Sequence, residues 1–144
     1  MQSGQPQIKI DTQNLIKAGA IPAIAAAVAG ALWLLGFLGG LLGILFWVIA
    51  AFAGYWYVNL ILKSGAKPTI VEVAINGAIL GAVVGLIYAI VAWIAISIRF
   101  AGLFGFGFGW GLGDVIGELI QGGIGGALGA AGWYAYKSGM IKTS

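Results

Sequence analysis

Histidine and cysteine are both absent from the 144 residues. Without histidine, the chain lacks the side chain that most often ligates metals and most often moves protons near neutral pH. Without cysteine there is no thiolate metal site and no disulfide framework. Charge is also scarce. Only 8% of the residues are charged, against about 25% in an ordinary soluble domain. Hydrophobic residues make up 61%, and the mean hydropathy is +1.04. Such a chain cannot cover its surface with polar groups, so most of its solvent must be lipid. These shortages exclude most enzyme chemistry: no catalytic residue, metal ligand set or cofactor is expected. A formal charge of +3 without a basic stripe gives no nucleic-acid surface.

The few charges punctuate the chain. No charge lies between Lys17 and Lys63, between Glu72 and Arg99, or between Glu118 and Lys137. A bilayer crossing takes roughly 20 helical residues, so the first run holds two crossings, turning near Gly36, Gly39, Gly40 and Gly43. The spacing predicts spans at about 20–37, 42–62, 70–98 and 114–136. The predicted fold is thus an all-α integral membrane protein, with four transmembrane helices as two hairpins. Residues 1–19 form a polar N-terminal segment with a short interfacial helix, Asp11 as its cap, and 20–144 form the membrane domain. Pro22 fits the first turn of the first span. Thr69-Ile70-Val71-Glu72 is a capping box that starts the third span, and Asp114 suits the N-cap of the fourth. The first apolar stretch is long and has no clear small-residue cleavage site after a basic segment, so it reads as a span rather than a signal peptide.

Four crossings put both termini and the 63–69 loop on one side. That side carries Lys9, Lys17, Lys63, Lys67, Lys137 and Lys142, and the other carries Arg99. The positive-inside rule makes the lysine side cytoplasmic, in an inner-type membrane or a membrane envelope. Tyr55, Trp56 and Tyr57 precede one lysine group, and Trp133, Tyr134 and Tyr136 precede the other. A weak repeat links these two ends: each runs from Ala-Gly through aromatics to Lys-Ser-Gly. Hairpin duplication would produce it, and so would the shared need of two helices to leave a membrane and stop.

Glycine is abundant, with 26 residues. Gly77, Gly81 and Gly85 share one face of the third helix. Gly122 and Gly126 share one face of the fourth, beside Gly125 and Gly129. Glycine lets backbones approach closely, and this drives association where lipid is as apolar as leucine. These faces are expected to pack within the monomer, between subunits, or both.

One polar group stands out at the non-cytoplasmic end: Arg99, Asp114, Glu118 and Gln121. An ionisable residue near the membrane seeks a partner. Arg99 pairing with Asp114 or Glu118 would staple two helix ends, and a carboxylate pair lining an ion entrance is the sharper reading. Between Arg99 and Asp114, in the 100–113 loop, glycine alternates with large apolar residues, including Phe104, Phe106, Phe108 and Trp110. That loop reads as an aromatic float at the interface or a docking surface. It lacks the register of a nucleotide-binding loop.

In its four-span, glycine-rich outline the chain resembles the proteolipid rings of rotary ATPases and phage holins. The first need a mid-helix carboxylate, which is missing here, and the second often carry a longer charged tail. The function expected is a non-enzymatic structural or accessory role in a lipid bilayer, packed against itself or other membrane subunits. The alternative is an oligomeric pore, a holin-like protein or a small ion or proton channel.

Overall fold

The computed structural model describes residues 10–35, 39–65, 67–104 and 112–139, with the backbone alone described at 35, 39–40, 42–43 and 99–104. Four α-helices follow one another: α1 (Thr12–Ala31), α2 (Gly39–Lys63), α3 (Ile70–Phe104) and α4 (Leu112–Lys137). A short 3-10 turn, Leu32–Leu35, follows α1. Among the described residues, three stretches are long and apolar enough to cross a membrane: Thr12–Leu34, Ile44–Lys63 and Ile70–Ile98. The protein is therefore a helical membrane protein. α4 is long enough but not among these three, because glycine dilutes its apolar surface.

The helix ends follow local chemistry. α1 starts at Thr12, ahead of the expected span, and absorbs the region assigned to a separate interfacial helix. Asp11 is its N-cap, accepting from the Asn14 backbone N–H at 3.4 Å and from Asn14 Nδ2 at 2.7 Å. Pro22, expected in a first turn, is buried inside α1. There its ring removes one helical hydrogen bond. α3 begins at Ile70 as the capping box predicts, with the Glu72 N–H donating to Thr69 Oγ1 at 3.2 Å. It runs on to Phe104, roughly 50 Å at 1.5 Å per residue, so the first part of the expected 100–113 loop is helix. α4 starts at Leu112, which places Asp114 in its first turn rather than at the cap. α2 and α4 each stop at a left-handed glycine, Gly65 (φ 80°) and Gly139 (φ 76°). Both copies of Lys-Ser-Gly are therefore helix stops, which accounts for that part of the repeat without duplication.

α2 and α3 form the centre, with α1 and α4 flanking them and not touching each other among the described residues. The α3–α4 pair has the most extensive contact, followed by α2–α4 and α1–α3. The core between the helices holds Phe46, Val58, Ile61, Val73, Val84 and Tyr88. Tyr88 stacks on Phe46 with ring centroids 4.7 Å apart and accepts from Trp33 Nε1 at 2.9 Å. This bond ties α3 to the 3-10 turn after α1.

The seams differ in kind. Along α3–α4, a Cβ added at Gly81 would run into the Gly122 carbonyl oxygen, and one at Gly122 into the Gly81 carbonyl oxygen. A Cβ at Gly77 would lie 2.6 Å from the Gly126 carbonyl oxygen, and one at Gly85 would collide with that of Glu118. The numbering rises on α3 as it falls on α4, so the helices are antiparallel. On the other flank, a Cβ at Gly54 of α2 would lie 2.6 Å from the Ala130 backbone nitrogen. Gly125 sits over Ala50 and Trp47, and Gly129 sits against the Ala51 backbone.

Candidate functional site

The starts of α1 and α3 meet the ends of α2 and α4 at one end of the bundle. The Asp11 N–H donates to Asn76 Oδ1 at 2.8 Å, and Asn76 Nδ2 donates to the Glu72 carbonyl at 2.8 Å. Asn76 is 1% exposed. A buried amide within an aliphatic helix is costly unless it is bonded, and here it ties the N-cap of α1 to α3. The Tyr134 hydroxyl donates to the Pro68 carbonyl at 2.5 Å, and Trp133 Nε1 donates to Asn59 Oδ1 at 2.9 Å. The Trp133 ring also lies 4.8 Å from Tyr55, with Lys137 Nζ 5.2 Å from its centroid. The two aromatic-to-lysine segments read from the sequence thus stand side by side on α2 and α4.

These elements enclose a polar cavity of about 390 Å³. Asp11, Asn14, Tyr57, Lys67, Glu72 and Asn76 contribute to its wall. Asp11 and Glu72 are brought there by capping: each sits in or just before the first turn of its helix. Acidic groups are favoured there because the free N–H groups carry partial positive charge. Ser64, also on the wall, donates to the Ile61 carbonyl at 2.8 Å. Among the described residues, no group of three or more carboxylates could hold a metal ion.

The group expected at the opposite end is only partly described. Arg99 lies in α3, and its side chain is outside the described residues. Asp114 is exposed in the first turn of α4. Glu118 is half-buried, and its Oε2 is buried without a hydrogen-bond partner among the described residues. Gln121 is exposed, so it does not share the surroundings of Glu118. Phe104 lies in α3 with its side chain outside the described residues, as are Phe106, Phe108 and Trp110 entirely. Sequence reasoning missed the cavity at the lysine-bearing end. Its signal was Asn76, a lone amide in an aliphatic helix and one turn beyond the cap residue Glu72.

The fold and this polar end define a multi-helix membrane protein with a hydrogen-bonded polar junction among helix ends. Comparison with known protein families, curated proteins and solved structures returns no match for the chain.

Proposed function

We propose that this chain is a non-enzymatic structural or accessory subunit that crosses the membrane four times and assembles through the outward face of α4. The observation that carries the reading is Gln121, exposed on that face between Ile120 and Ile124, which are exposed too. A glutamine turned to lipid lacks hydrogen-bond partners, whereas one at a helix–helix interface has them. Gly117 and Gly132 flank it, and a Cβ at either would meet nothing within 4 Å. This leaves room for another backbone to approach. The inward glycines make a zipper that closes α3 onto α4, so the open ones serve a neighbour. The lysine-bearing end, with both termini, faces the cytoplasm by the positive-inside rule.

The partner is a second copy or another membrane subunit, and one experiment separates these. The chain has no cysteine, so a single Gly117→Cys or Leu128→Cys is a unique crosslinking site. In native membranes, Gly117→Cys and Leu128→Cys should crosslink at a defined mass, twice the chain's own or larger. Ile79→Cys on α3 should not. A lone monomer in mild detergent, with no crosslink at either α4 position, sinks the proposal.

The second reading is an oligomeric pore, holin-like protein or small channel, and Glu118 favours it. Its Oε2 is buried with no partner among the described residues, which is costly, and an ion or proton path would give it work. Unchanged ion flux through Glu118→Gln in liposomes would count against that reading.

A further inference from the structure

The polar cavity between the helix ends is too large for a bare ion. At ~30 Å³ per water in the liquid, a metal ion would leave most of the 390 Å³ to solvent. Its chemistry is uneven. Asp11 and Glu72 bring two carboxylates, and Lys67 is exposed and forms no ion pair among the described residues. Tyr57 adds the decisive detail. It is only 2% exposed, and it lines the cavity within electrostatic reach of both carboxylates. Yet its hydroxyl forms no hydrogen bond among the described residues. Buried tyrosine hydroxyls usually find a partner. This one faces the cavity instead.

We propose that the cavity binds a phosphoethanolamine zwitterion, its primary ammonium held by Asp11, Glu72 and the Tyr57 hydroxyl and its phosphate by Lys67. A primary ammonium has three N–H donors and no acceptor. Two carboxylates and a phenol oxygen supply three acceptors. A quaternary choline ammonium has no N–H and could donate to none of the three. A headgroup with phosphate but no ammonium would meet a wall with more acid than base. The cavity lies at the end of the helices long and apolar enough to cross a membrane, where headgroups would stand, so phosphatidylethanolamine is one source. Free phosphoethanolamine is the other.

The test uses the full chain in phosphatidylcholine nanodiscs carrying phosphatidylethanolamine or phosphatidylglycerol. Lipid retained on extraction is counted by native mass spectrometry. Calorimetry with free phosphoethanolamine runs in parallel, in nanodiscs of phosphatidylcholine alone. Phosphatidylethanolamine should be retained at least about tenfold over the other two, as charge-assisted bonds imply. Asp11→Asn with Glu72→Gln should abolish that preference. Tyr57→Phe should weaken it about fivefold, the effect of one hydrogen bond, at unchanged melting temperature. Selective retention without binding of the free compound assigns the site to the lipid; binding of the free compound shows that the headgroup suffices. Equal retention of all three lipids with no phosphoethanolamine heat overturns the proposal, as does undiminished preference in the acidic double variant. If that variant does not fold, Tyr57→Phe decides. Its hydroxyl has no hydrogen bond among the described residues, so folding should survive its loss, and full selectivity without it overturns the proposal.

Discussion

The seams on either side of α3 show two ways to join helices in lipid. Toward α4, the contact is backbone on backbone, with Gly77, Gly81 and Gly85 against Gly122 and Gly126. Toward α1, it is mostly side chain on side chain, with Leu15, Ala18, Ala26 and Ala29 buried and Leu80 and Val84 opposite. Among the described glycines of α1, Gly30 alone approaches backbone there, where a Cβ would lie 2.8 Å from the Tyr88 carbonyl oxygen. Toward α1 the apolar contact is joined by polar bonds near each end: Asp11 to Asn76, and Trp33 to Tyr88. The lesson is that α4, rich in glycine, is held by proximity. α1 is held by alanine-sized packing and specific hydrogen bonds. A backbone seam has no side chain that can move aside, whereas a side-chain seam can repack.

That contrast can be broken or sharpened by substitution. The largest effect is expected at Gly81→Ala or Gly126→Ala, where a single methyl meets backbone. Each should lose about 3 kcal/mol or more, the upper range for overpacking, read from reversible unfolding in mixed micelles. The matched change across the other seam, Ala26→Val, should cost less. Equal losses would mean that the seams do not differ in rigidity. Next comes Asn76→Leu, which leaves the part-buried Asp11 N–H without its acceptor. A loss of about 1–3 kcal/mol should appear, together with faster amide exchange at the start of α1. Protection there equal to wild type would rule out the tie. Trp133→Phe removes the bond to Asn59 but keeps a ring against Tyr55. It should cost about 0.6 kcal/mol, the average for such bonds in membranes. The smallest effect is at Gly132→Ala, where nothing lies within 4 Å of the added carbon. Alanine there should leave the monomer unchanged or gain up to about 1 kcal/mol from helix propensity. A loss as large as that at Gly81 would erase the inward–outward distinction among the glycines.

Much of the frame was legible because charge is so scarce. Lys63, Lys67 and Glu72 bracket the central turn, and the Thr69–Glu72 capping box places the start of α3 at Ile70, where the structure has it. Less legible was the start of α1. Lys17 read as a boundary, but one lysine on an exposed helix face does not interrupt hydrogen bonds between backbone groups. Pro22 misled in the same way: its preference for a first turn is statistical, and packing against neighbouring helices outweighs one missing bond. Asp114 looked like a cap, yet α4 begins two residues earlier.

The sequence by itself determined that this protein lives in lipid, that a charged break separates its two halves, and which faces carry glycine. Each follows from a local property: transfer cost, span length or the 3.6-residue period. Only the tertiary structure decided which glycines meet backbone and which stand open, because that depends on helix rotation and pairing. It alone also decided that Asp11, Tyr57 and Glu72 share one cavity. These residues belong to two different helices and the cap of a third, and no periodicity within one helix records what its neighbours bring.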